Sequence, residues 1–300
     1  MSNERQKVCV IIPAYNAAEV IGRCLQSLQM QTFQCWTAIV VDDGSTDGTS
    51  REIARIARED VRIRALQGRH AGASAARNQA MEEAERLHPA YITFLDADDY
   101  LERDALEVFY QTAVRTGVDV VHCKYFNEYV NGSRSDLGNL FPPDSIYHRD
   151  QFPKTVYWKM ITGIQMNHAC TKFYRAELLQ GMRFDTSMRT GEDLLMNIEV
   201  FSRAESYAYI ARPLYHYIRD MAHGLTNSGL PGRVKLECNW RISKRMLQCL
   251  PAWGMDTLRV RLCVVCRPVV LLCSKIYRRI LAKWVQGKKC AATKDCGGIK

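Results

Sequence analysis

No stretch of about 18 consecutive apolar residues occurs in the 300-residue chain, so hydropathy gives no membrane-spanning helix. No apolar run precedes Val8 either, so no secretory leader is read and the expected location is the cytoplasm. Paired metal-binding cysteines are missing as well. The one Cys-x-x-Cys, Cys263 to Cys266, lies in an apolar run with no second Cys or His pair at zinc-finger spacing, so no metal or redox role is expected there. The twelve cysteines are scattered over predicted strands and helices, unlike the framework of a short secreted domain, and are expected to be mostly reduced, buried, small hydrophobes. Also absent is a Gly-rich phosphate loop after the first strand, where Pro13, Ala14, Tyr15 and Asn16 stand instead; this argues against a nucleotidyltransferase.

What is present is a 47% hydrophobic composition, enough for one large α/β domain or two small ones. The net charge of +9 is unevenly placed. From Pro231 onward there are 16 Lys and Arg against 3 Asp and Glu, a net of +13, and the preceding residues carry −4. A basic tail seeks an anionic partner, nucleic acid or an anionic membrane surface. The tail lacks interleaved aromatics and any recognised nucleic-acid motif, so no nucleic-acid partner is expected.

Short apolar runs at Val8 to Ile12 (ended by Pro13), Thr37 to Val41, Val61 to Leu66, Tyr91 to Leu95 and Val118 to Cys123 read as buried strands. Helical periodicity falls between them, at Ala17 to Met30, from about Thr49, at Ala73 to Leu87 and at Arg103 to Arg115. Alternation of this kind implies parallel βαβ units, whose ligands sit at the carboxyl ends of the strands. Lys124 to Asp150 loosens into turn-rich sequence and reads as a surface excursion. Helices are expected at Val156 to Ile161 and Glu192 to Ala204, and a late strand at Tyr207 to Ile210. A boundary near Gly229 divides residues 1–229, a catalytic domain, from 230–300, a basic helical region with helices at Val234 to Leu250 and at Leu258 to Trp284, the latter interrupted at Pro268.

Three polar clusters follow strands or open helices. Tyr15 and Asp43 suit a nucleoside pocket, since aromatic faces stack on bases and carboxylates accept from base or ribose donors; the same residues also suit a plain turn. Asp96, Asp98 and Asp99 repel one another unless a cation neutralises them, and hard oxygen ligands suit Mg²⁺ or Mn²⁺ held jointly with diphosphate oxygens. An N-cap of the next helix would account for Asp99 but not for Asp96. Glu192 and Asp193 open a helix, either as a cap or as a general base for an acceptor hydroxyl.

Five ordered segments, Pro13 to Asn16, Asp42 to Asp47, Ala76-Arg77-Asn78, Asp96 to Asp99 and Gly191-Glu192-Asp193, resemble the motifs of family 2 glycosyltransferases over about Val8 to Asn227. The resemblance implies an α/β, A-type glycosyltransferase domain with a mainly parallel mixed sheet. It implies that Pro13, Tyr15, Asn16, Asp43, Arg77, Asp96 and Arg219 bind the nucleotide sugar, that Asp98 holds Mn²⁺ or Mg²⁺, and that Asp193 is the base. Gln79-Ala80 departs from the glycine that the family often has there, and reads as variation within a helix. The implied reaction is inverting transfer from a nucleoside-diphosphate sugar, UDP-hexose foremost, to a glycan or lipid-linked glycan, as in bacterial surface-polysaccharide assembly. The alternative is a catalytically inactive sugar- or nucleotide-binding protein on the same fold. The basic tail reads as an interfacial helix at the inner face of the membrane or as helices packed on the domain.

Overall fold

The computed structural model describes residues 8–129, 132–136, 138–163, 165–219 and 230–272. The chain divides into two compact units, Met1–Ser228 and Gly229–Lys300. In chain order the first unit holds β1 (Val8–Ala14), α1 (Ile21–Gln29), β2 (Trp36–Asp42), α2 (Thr49–Glu59), β3 (Ile63–Gln67), α3 (Ala73–Leu87), β4 (Tyr91–Phe94), β5 (Tyr100–Leu101) and α4 (Ala105–Thr116). It continues with β6 (Val120–Tyr129), β7 (Arg134–Asp136), β8 (Ser145–His148), α5 (Val156–Thr162), β9 (Lys172–Arg175), α6 (Ala176–Leu179), α7 (Glu192–Arg203) and β10 (Ser206–Arg219).

One sheet runs β3-β2-β1-β4-β9-β6-β10-β5, with β7 on β6 and β8 on β10. The β3-β2-β1-β4 half is parallel throughout. All seven residues of β1 and of β2 are buried, as expected for parallel strands covered on both faces, with α3 packed on both. The α1 helix turns Ile21, Cys24, Leu25 and Leu28 inward, an i, i+3, i+4, i+7 stripe. Beyond β4 the sheet is mixed: β9 is antiparallel to both β4 and β6, and β6 is parallel to β10.

Several sequence expectations need correction. Pro13 does not end β1, which runs on to Ala14. Pairing with β4 stops at Ile11, so a proline without an N–H costs no ladder bond on that flank. The segment after Lys124 is not a loose excursion, because β6 continues to Tyr129 and β7 and β8 add short strands. The late strand is fourteen residues long and absorbs a register shift around Pro213. Neither β5 nor β9 is legible from periodicity, since two and four residues carry too little pattern.

The second unit shows α8 (Gly232–Cys249) and α9 (Leu258–Leu272), joined by a hydrogen bond from Arg267 Nη1 to Asn239 Oδ1 at 3.2 Å. Pro268 lies inside α9 and does not interrupt it. Leu258, Leu262, Val265 and Val269 form an exposed apolar stripe. The expected helix from residue 273 to Trp284, with Ile276, Ile280 and Leu281, lies outside the described residues. Among the described residues no helix is long and apolar enough to cross a membrane. Nine cysteines are described, six of them buried, and among the described residues none, Cys263 and Cys266 of the Cys-x-x-Cys included, is in a disulfide.

Candidate active site

The parallel strands bring the first two clusters to one end of the sheet. Asn16, held at a left-handed φ of 46°, accepts from Thr46 N at 2.9 Å through Oδ1, while its own N–H donates to Ser45 Oγ. Asp42 closes the local turn, accepting from Ser45 N at 3.1 Å. Asp43 does something else. It is 3% exposed, and its two carboxylate oxygens accept from Ala71 N at 2.9 Å and Gly72 N at 2.6 Å. Its backbone is also approached by Gly68, where a Cβ would come within 3.0 Å of Asp43. Tyr15, 37% exposed, packs its ring 4.6 Å from that of His70. Tyr15, His70 and Asp43 thus meet where β1 and β2 end; His70 stands in no motif and went unnoticed in the sequence. Pro13, buried in β1, supports this corner from within the strand.

Arg77, on α3, joins the remaining acidic clusters. It is 7% exposed, and its Nη2 donates to Asp96 Oδ1 at 2.7 Å. Its Nη1 lies 3.7 Å from Glu192 Oε1 and 3.8 Å from Asp193 Oδ1. Burial opposes its charge, yet Asp96, Asp193 and Glu192 outweigh that and hold the guanidinium firmly protonated. Burial and the neighbouring Asp193 push the Glu192 carboxyl up despite Arg77. Arg77 Nε and Nη1 have no hydrogen-bond partner among the described residues.

Asp98 points outward and no neighbouring side chain donates to its carboxylate among the described residues. The protein mass around it, then the charge of Asp96, push its carboxyl up to about 6. Asp99 is no helix cap, since α4 starts only at Ala105. It is 1% exposed, accepts from Ile218 N at 2.7 Å and from Tyr215 OH at 2.5 Å, and so ties the acidic loop to β10. Arg23 Nη2 donates to the Asp98 backbone carbonyl at 2.7 Å and, with Arg77, offsets part of the rise at Asp98. A hard-oxygen carboxylate with no side-chain donor among the described residues, crowded by a second one, fits a Mg²⁺ or Mn²⁺ ion that takes its other ligands from a substrate. Among the described residues no group of three or more His, Cys, Asp or Glu converges as a complete protein-only metal site.

Asp193 sits in the first turn of α7 behind Gly191, which takes a φ of 79°. Its Oδ2 accepts from Ala169 N at 3.1 Å; its Oδ1 is shielded and without a hydrogen-bond partner. The side chain is 20% exposed, and that exposure lies away from Oδ1. Arg219, at the end of β10, donates through Nε to Asn127 Oδ1 at 2.9 Å and lies 4.8 Å over the Tyr217 ring. The structure therefore gathers Arg77, Asp96, Glu192 and Asp193, and leaves Arg219 on the β6-β10 side among aromatic rings. His216 is 2% exposed and bridges Glu102 and Glu128 at 2.9 and 3.0 Å, a structural pairing.

The family model of Glycosyl transferase family 2 matches residues 9–182. Among curated proteins, Glycosyltransferase GlyA of Streptococcus pneumoniae is 30% identical over 216 residues, 70% of this chain and 30% of that protein. Putative glycosyltransferase EpsH of Bacillus subtilis is 29% identical over 219 residues, 71% of this chain and 61% of that one. The matches thus span from about a third to three fifths of these relatives' lengths. Among solved structures, residues 1–349 of S. aureus TarS superpose with a TM-score of 0.67 at 21% identity, covering 87% of this chain and 71% of that one. The same protein in complex with UDP-GlcNAc gives 0.66 at 18% identity, covering 94% and 92%. At such identities the likeness is one of fold.

Proposed function

Because the chain belongs to Glycosyl transferase family 2, we propose that it is a metal-dependent inverting transferase that moves a hexose from a UDP-sugar to the hydroxyl of a surface-glycan or lipid-linked acceptor. One observation carries the reading: a single buried cation, Arg77, draws together Asp96 of the acidic loop and the Glu192-Asp193 pair of α7, residues that lie about a hundred positions apart. A fold neighbour holding UDP-GlcNAc supports a uridine donor.

In this reading Tyr15, His70 and Asp43 border the uridine, with Pro13 and Asn16 shaping the turn beneath it. Asp96, braced by Arg77, faces the donor sugar and diphosphate, and Arg219 supplies positive charge from the β10 end. A divalent cation held through Asp98 would neutralise the charge that grows on the departing diphosphate. Asp193 takes the acceptor's proton. Since Oδ1 is shielded, the proton arrives at Oδ2, whose position the Ala169 amide sets. The acceptor oxygen bonds to the anomeric carbon as the carbon–oxygen bond to the diphosphate breaks, and UDP leaves with that electron pair. Attack from the face opposite the diphosphate turns an α-linked donor into a β-linked product.

Screening UDP-sugars for transfer and donor hydrolysis tests the reading. Asp98→Ala and EDTA should each abolish turnover, and Asp193→Asn should lower it by roughly 10² or more while UDP affinity survives. Full activity in EDTA overturns the metal role, and an unimpaired Asp193→Asn enzyme overturns the base.

We further propose that the basic second unit meets an anionic leaflet through α9. Its apolar stripe and the exposed Arg259 beside it support this, a basic residue contributing about 1 kcal/mol near such a surface, while Arg261 is ion-paired with Asp256. Truncation at Gly229 should remove salt-sensitive binding to anionic liposomes; a full-length chain that ignores them at low salt refutes it.

A further inference from the structure

The turn Met166 to Ala169 is gripped from one side by fully buried polar groups. Lys172, 0% exposed, donates from Nζ to Met166 O at 3.1 Å and to His168 O. Asn197, also 0% exposed, donates to Asn167 O at 2.8 Å and Met166 O at 3.2 Å, and accepts from Tyr174 OH at 2.9 Å. The same tyrosine hydroxyl reaches Ala169 O at 3.3 Å. Four successive carbonyls are thereby drawn inward. No carboxylate forms an ion pair with Lys172 among the described residues, and burial pushes its ammonium down to about 8. An unpaired buried ammonium is a costly way to hold a turn. It makes sense where the outer side of the turn must be placed accurately.

That outer side carries two things. The Ala169 amide holds Asp193 Oδ2. The His168 ring sits 5.3 Å from the Tyr125 ring and 5.8 Å from the Tyr217 ring, and Arg219 lies over Tyr217. His168 directly precedes Ala169, whose amide holds Asp193 Oδ2 at 3.1 Å, so this group of rings adjoins that carboxylate along the turn. Burial favours the neutral imidazole, which can both donate and accept. Aromatic faces pack on the C–H face of a pyranose while phenols and ring nitrogens bond its hydroxyls; here Tyr125 OH and His168 Nε2 meet at 3.5 Å, which holds the rings side by side next to the proposed base.

We infer that His168 and Tyr217, presented by the turn that Lys172 and Asn197 clamp, form the platform that binds a neutral pyranose of the acceptor and aims its hydroxyl at Asp193. The inference rests on the proposed transfer reaction and adds the acceptor's chemical class and its contact residues.

Saturation-transfer NMR with methyl β-glucopyranoside, methyl β-galactopyranoside and methyl β-N-acetylglucosaminide tests it, using full-length protein saturated with UDP and Mn²⁺. At least one glycoside should receive saturation on its ring protons. His168→Ala and Tyr217→Ala should each weaken that binding about tenfold, the scale of one lost ring contact, and His168→Phe, which keeps a ring, should recover part of it. Calorimetry should show UDP affinity unchanged in His168→Ala and His168→Phe; Tyr217→Ala also removes the ring under Arg219 and is read for glycoside binding alone. Equal saturation in wild type and His168→Ala, no saturation of any glycoside by the wild type, or a parallel loss of UDP affinity in His168→Ala each overturns the platform. A wild type that binds no UDP would instead break the transfer reaction, so the two failures are distinguishable.

Discussion

The two halves of the sheet hold their site residues by different means. In the parallel half, β3-β2-β1-β4, the polar groups stand at strand ends and are fixed largely by nearby backbone: Asp43 by the amides of Ala71 and Gly72, Asn16 by the Ser45–Thr46 turn. In the β9-β6-β10 half, buried side chains supply much of the grip. Asp99 reaches Tyr215 and Ile218, and Lys172 and Asn197 grip a turn that in turn holds Asp193. Backbone cradles come with the fold, because every strand end exposes amides. Side-chain clamps depend on single residues, each exposed to single mutations.

Arg77 bridges the two systems, so its loss should have the largest effect. Arg77→Met keeps most of the apolar stem and leaves Asp96, Glu192 and Asp193 facing one another without a counter-charge. We expect a stability loss of about 3–5 kcal/mol, the scale for a broken buried pair, together with near-complete loss of transfer. Thermal unfolding and turnover measure both. A variant as stable as the wild type would show that the halves are not joined at this residue.

Asp43→Ala should be milder, because it withdraws an acceptor from two partly buried amides without leaving a charge. About 1–3 kcal/mol of stability should be lost, with weaker UDP binding, by urea denaturation and calorimetry. An unchanged UDP affinity would leave Asp43 as a loop brace and no more.

The smallest effect separates the halves by pH. The Cys9 thiol of β1 is raised by burial from 9.0 to about 12. Its stabilising share is therefore complete below pH 9 and is lost as pH rises towards 12, since the unfolded chain ionises first. Lys172 of β9 is lowered from 10.5 to about 8, so between those values the unfolded chain binds more protons and stability rises with pH. Cys9→Ala should flatten the alkaline decline above pH 9, and Lys172→Met should steepen it between pH 8 and 10.5. Each effect should approach about 1 kcal/mol per pH unit, read from urea midpoints at pH 7.5, 9 and 10. Identical slopes in both variants would erase the distinction.

The sequence alone located the parallel strands, the helices α1, α2, α3, α4, α5, α7 and α8, and the acidic clusters that follow strands or open helices. Those features are local: a buried strand shows as an apolar run, and a residue just past it faces the ligand side of a parallel sheet. The order of the sheet beyond β4 was not legible, because β9 enters antiparallel between β4 and β6 and is only four residues long. Reading Asp99 as a helix cap failed for the same reason, since its partners lie more than 110 positions away. His70, His168 and Lys172 carry no motif and alter no periodicity. Only folding brings His70 against Tyr15, sets His168 beside Tyr217 and closes Lys172 over the carbonyls of its own turn, because a buried polar group is satisfied by whatever the chain packs against it and local pattern does not record that partner.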